Sequence, residues 1–154
     1  MKVNNKSIVT DPTLLFIYTT IYFVVQFILV HILNIPSLVT SQHKLVHEYY
    51  VDNFVSNTIL DFFLVLFYLE IPFFLSRHLC TYPPSLLKTL LIIVCTTTVI
   101  SGAFYYYFVS KPLNTSSFFS RWFHAAKWTA ILYDVVLLSF TFVLYTFFVS
   151  KICT

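Results

Sequence analysis

Residues 86–109 read LLKTLLIIVCTTTVISGAFYYYFV, and between Lys88 and Lys111 the chain carries no charged side chain. At a rise of about 1.5 Å per residue, such a run exceeds the roughly 20 apolar residues that cross a hydrocarbon core about 30 Å thick. It shows no period-two alternation and is too long for a strand. Backbone polar groups in lipid are satisfied only inside a helix or a closed barrel. The stretch reads as a transmembrane helix.

Working outward, three more stretches pass the same test. Residues 14–35 are closed by Pro36. Residues 54–75 hold Asn57, Asp61, Glu70 and Pro72 and form the weakest span. Residues 125–149 end just before Lys151. The fold class expected is therefore all-α: an integral membrane bundle of four transmembrane helices with short loops, forming one domain over residues 1–154. Lys2 and Lys6 ahead of the first run resemble a signal peptide. That run is too long for one, however, and no small-x-small cleavage site follows it, so an uncleaved span and short tails are expected. Composition agrees, with 58% hydrophobic, 20% aromatic and 10% charged residues, where soluble domains hold about 45–50% apolar and about 25% charged.

The same composition excludes functions. Gly102 is the single glycine, so no glycine-rich phosphate loop, dinucleotide fingerprint, nucleophile elbow or carbonyl selectivity filter can form. The net charge of +3 is spread along the chain, which argues against nucleic acid as a partner. Cys80, Cys95 and Cys153 make no C-x-x-C pair. His43 and His47, with Glu48 and Asp52 nearby, have metal-ligand spacing if their loop is helical, and His31 and His124 have the chemistry of axial haem ligands. Interfacial histidines without a ligand are the simpler reading. No metal, no cofactor and no catalytic set is expected.

Four spans place both tails on one side, here side A, with the loop after residue 75. The loops 36–53 and 110–124 lie on side B. Lys2, Lys6, Arg77, Lys88 and Lys151 fall on side A, against Lys44, Lys111, Arg121 and Lys127 on side B. This slight bias, with all three cysteines toward side A, favours cytosolic termini.

The polar residues at membrane depth carry the functional question, because an unpaired charge there is costly. Asp61 and Asp134 each lie roughly 10 Å in from side B, on helices running in the same direction. Asn53, Asn57 and Asp61 step by four along one helix face. Arg121, His124, Lys127 and Asp134 step by three, three and seven along another. The expectation is an intramembrane polar cluster of Asn57, Asp61, His124, Lys127 and Asp134, serving as interhelical packing or as a carboxylate pair that handles protons or cations. Glu70 and Lys88 flank the hairpin between spans two and three and are expected to form an ion pair. In span three, Cys95, Thr98, Gly102 and Tyr105 suggest a small-residue packing seam. Tyr49, Tyr50, Tyr105 to Tyr107, Trp122 and Trp128 read as an interfacial aromatic belt.

The stretch FFSRWFH at residues 118–124, followed by ILYD at 131–134, resembles the end of small multi-span membrane proteins of large DNA viruses of protists. It covers about a fifth of the chain. The resemblance implies a host or virion membrane and no catalytic residues. Short loops without a catalytic set make a non-enzymatic protein of membrane organisation or assembly the leading reading, with lipid, membrane proteins or further copies of the chain as partners. The alternatives are a small proton- or cation-linked transporter using Asp61 and Asp134 and, third, a membrane enzyme acting on lipid.

Overall fold

A computed structural model describes residues 7–79 and 85–152. Lys2, Lys6, Cys80 and Cys153 lie outside the described residues. Among those described, the chain is all-helical: α1 (Pro12–Gln26, continuing as a π-helical turn Phe27–Ile32), α2 (Ile35–Thr40), α3 (His43–His47, continuing as a π-helical turn Glu48–Asp52), α4 (Phe54–Leu79), α5 (Leu86–Val109), α6 (Phe118–Ala126) and α7 (Trp128–Ile152). Four segments are long and apolar enough to cross a bilayer: Pro12–Ile32, Phe54–Leu75, Leu86–Val109 and Trp128–Ile152. The chain is an integral membrane protein with a helical bundle fold.

Local chemistry sets the helix ends. Asp11 caps α1, its carboxylate accepting from the Thr13 and Leu14 amides at 3.0 and 3.4 Å, and Pro12 follows at the position where a missing N–H costs nothing. The first span thus begins and ends earlier than expected. It stops ahead of Asn34, which is left-handed (φ 49°), and Pro36 opens α2 rather than closing α1. Ser85 and Ser117 cap α5 and α6.

The fourth span differs more. Its expected start falls within a separate helix, α6, which ends at Ala126. Lys127 takes φ 54° and ψ −135°, and α7 begins at Trp128. The polar row from Arg121 to Asp134 is therefore broken: its first three members leave the helix that carries the fourth. A side chain with positive φ at this ψ is strained by about 1–3 kcal/mol, so Lys127→Gly is expected to raise the unfolding temperature in detergent. An unchanged or lower temperature would mean that the backbone there is relaxed.

Helix α7 is the hub. It packs against α5, α1, α2, α6 and α4, and α5 also packs against α4. The contact face of α5 is Thr89, Ile93, Thr97 and Ser101, all fully buried. The expected seam lies one step round the helix: Cys95 and Thr98 are exposed, and a Cβ at Gly102 would meet nothing within 4 Å. α1 and α4 are joined by two buried phenols. Tyr18 donates to the Phe62 carbonyl at 2.7 Å and Tyr22 to the Thr58 carbonyl at 3.0 Å. Exposed threonines bond the carbonyl one turn back, as Thr20 does to Phe16 and Thr98 to Val94. This hides their hydroxyls from lipid. The outer faces carry exposed Phe16, Phe63, Val99 and Phe140, a surface suited to acyl chains and unsuited to water.

Glu70 does not meet Lys88. Its Oε1 accepts from the Ser7 hydroxyl at 2.9 Å and from the Ile8 and Val9 amides, drawing the segment before α1 onto α4 and burying Ile8. Lys88 sits exposed in the first turn of α5, where its amide bonds the Ser85 cap. Glu70→Ala is expected to speed hydrogen exchange at Ile8 and Val9 by roughly tenfold, the scale of losing one bond to a charged acceptor. Lys88→Met should leave those amides unchanged, and acceleration in that variant would restore the ion-pair expectation.

Candidate functional site

Between α4, α5, α6, α7 and the 48–52 turn lies a cavity of about 270 Å³. Its walls include both aspartates at membrane depth. They come together for different local reasons. Asn53 and Asn57 do not turn to α7 but gather in the 48–52 turn, and Asp61 is the one member of the row that shares the cavity with α7. Asn53 Nδ2 donates to the Glu48 carbonyl at 2.9 Å, Asn57 Nδ2 donates to the Tyr49 carbonyl at 3.0 Å, and the Tyr49 hydroxyl donates to Asp61 Oδ1 at 2.7 Å. Asp61 Oδ2 is buried with no hydrogen-bond partner.

Asp134 is held from α5. The Ser101 hydroxyl donates to its Oδ2 at 2.6 Å, and the Tyr68 hydroxyl stands 3.2 Å from the same Ser101 oxygen. Tyr50 and Tyr133 share a buried hydroxyl pair at 2.8 Å. Burial, aided by neighbouring acidic groups, pushes the Tyr49 and Tyr50 phenols well above their ordinary range. Both therefore remain neutral hydrogen-bond donors at any physiological pH. Two carboxylates thus face a common space with different degrees of satisfaction.

The remaining wall is apolar: aromatic rings toward side B, and Leu60, Leu64, Val65, Leu137 and Leu138 from α4 and α7. Tyr49 and Phe118 approach to 4.7 Å between ring centroids, Phe118 stacks on Trp122 at 5.9 Å, and Phe108 stacks on Phe123 at 5.5 Å. Tyr49, Tyr50 and Trp122, expected as interfacial belt residues, instead line the cavity, while Tyr106, Tyr107 and Trp128 are exposed. No lysine, arginine or histidine is among the lining residues.

Of the expected cluster, Asp61 and Asp134 share the cavity and Asn57 supports it through the Tyr49 carbonyl. His124 and Lys127 stay outside its lining. The His124 Nδ1 lies 2.8 Å from the Ser120 carbonyl within α6, and Lys127 is exposed at the helix break. On side B, Glu48 and Arg121 form a two-point ion pair, one bond of which measures 2.7 Å. Hydrogen bonding from Arg121 holds the Glu48 carboxyl below its usual range. Its partner in sequence, His47, approaches Asp52 at 3.3 Å. Gln26 is buried where α1 passes into the first π-helical turn, with neither amide atom bonded; an amide inside the apolar run FVVQFILV was its signal in the sequence. Comparison with protein families, with curated proteins and with solved structures finds no match for this chain.

Proposed function

We propose that the protein is a multi-pass membrane carrier in which Asp61 and Asp134 hold a small organic cation, or the protons that replace it. The observation that carries this reading is the cavity itself. Two carboxylates line one apolar, largely aromatic cavity with no basic side chain in its lining. In a medium of low dielectric their charge calls for a proton or a bound cation. A hard metal ion is a poor fit, because calcium takes six to eight oxygen ligands and magnesium a near-ideal octahedron. Aromatic faces favour an ammonium group with alkyl substituents. The chamber has room for a ligand displacing about nine waters at roughly 30 Å³ each.

In this proposal the whole chain is one transmembrane unit with both termini cytosolic. The membrane is a host or virion membrane, as the resemblance of residues 118–134 implies. Uptake of radiolabelled tetraethylammonium into proteoliposomes, with internal pH recorded, tests the reading. Saturable uptake with opposing proton movement supports it. Wild-type vesicles that neither bind nor accumulate the cation would sink it.

A second reading, membrane organisation by self-assembly, draws support from α5. Its membrane-crossing stretch is 22% buried, against 50% for the first span, which leaves a broad face for lipid or a further copy. Stepwise photobleaching in bilayers distinguishes single chains from assemblies.

A further inference from the structure

The ceiling of the cavity on side B is made by two short pieces from different loops. One is the 48–52 turn, which supplies Tyr49 and Tyr50. The other is α6, which supplies Phe118, Phe119, Trp122 and Phe123. α6 is joined to α5 through residues 110–117, whose first seven residues are exposed, and to α7 through the left-handed Lys127. Across the seam between the two pieces run the Glu48–Arg121 ion pair and the Tyr49–Phe118 ring contact, and from outside the turn Gln42 Nε2 donates to the Ala125 carbonyl of α6 at 3.5 Å. Glu48 immediately precedes Tyr49, and Arg121 immediately precedes Trp122. The ion pair therefore ties together two backbone segments that each carry residues of the cavity wall.

We propose that α6 is a lid over the cavity, turning at Lys127, and that the Glu48–Arg121 pair is the latch that keeps it shut toward side B. The inference rests on the reading of the cavity as a cation site and adds its aqueous route and control. The latch suits such a role. Its side chains are 29% and 33% exposed, so water and salt reach them and the attraction is screened. Its two charge-assisted bonds nonetheless fix one register of the lid. Opening swings aromatic rings toward the headgroup layer, where such rings are well tolerated.

The test reads access rather than affinity. Leu64, in the cavity wall, is changed to cysteine after Cys80, Cys95 and Cys153 are replaced by serine. Sealed vesicles with the side-B loops outward are then labelled with the impermeant sulfonatoethyl methanethiosulfonate. Glu48→Arg and Arg121→Glu are each expected to speed labelling about fivefold, the scale of losing one surface pair. The exchanged pair, carrying both changes, should return to the slow rate. A mere change in local potential would move the two single variants in opposite directions. Rates that do so, or an exchanged pair as fast as the singles, would overturn the latch. If either reversal fails to insert, Glu48→Gln and Arg121→Gln serve, with the same fivefold rise expected and an unchanged rate overturning the proposal. Loss of tetraethylammonium binding is measured separately, so a cavity that opens as expected yet binds no cation refutes the carrier reading and leaves the lid intact.

Discussion

Asp61→Asn is expected to weaken tetraethylammonium binding roughly hundredfold, within the cost of removing one partner from a buried charge pair. Asp134→Asn should cost only about tenfold. The asymmetry follows from what each carboxylate already does. Asp134 has its Oδ2 engaged by Ser101, so much of its acceptor strength is committed inside the protein. Asp61 receives one bond from Tyr49 on Oδ1 while Oδ2 is buried with no partner, so its charge is the less compensated of the two and attracts a cation through space rather than through a free oxygen on the cavity wall. The aromatic wall contributes less, up to about 2 kcal/mol per desolvated ring contact. Trp122→Leu should accordingly weaken binding by no more than about thirtyfold. An amide at position 61 still accepts the Tyr49 hydrogen bond, so the variant is expected to fold and its thermal transition provides the control. Calorimetry in nanodiscs checks the result. Equal affinity in Asp61→Asn and wild type would remove the carboxylate from the binding site.

The four spans were legible because bilayer thickness imposes a length and a composition that no local detail can mask. Phe54–Leu75 and Leu86–Val109 emerge with the expected bounds. The errors lie where tertiary context overrides a one-dimensional pattern. The α6–α7 break at Lys127 has no glycine or proline to mark it, and the run from Arg121 to Asp134 keeps helical spacing across it. Depth and direction place Asp61 and Asp134 at one level, and both line one cavity. The same arithmetic could not show that Asn53 and Asn57 serve the 48–52 turn rather than α7, since a helix face fixes direction without naming its neighbour. The aromatic chamber was missed because Tyr49, Tyr50 and Trp122 sit at predicted boundaries, where a belt is the usual occupant. A signal was present in the paired aromatic runs EYY and FFSRWF within the two side-B loops. Glu48 and Arg121 are 73 residues apart, and only the assembled loops reveal them as partners.

The hub position of α7 makes a sharper claim about stability than any polar contact. Phe142→Ala is expected to destabilise the folded bundle by about 3 kcal/mol, the low end of the range for Phe truncations in water-soluble cores. Phe142 is completely buried, with the Phe73 ring 5.9 Å away. In water such a loss combines transfer out of solvent with the cavity left behind. In a bilayer the unfolded reference is itself surrounded by hydrocarbon, so the transfer part largely cancels and lost packing remains. Phe140, two residues earlier on the same helix, is 53% exposed and faces the lipid. Acyl chains can fill the space vacated there, so Phe140→Ala should stay within about 0.5 kcal/mol of wild type. Steric-trapping measurements in bicelles compare the two directly. Equal losses would mean that α7 is not buried at the centre, and the arrangement of spans around it would have to be redrawn.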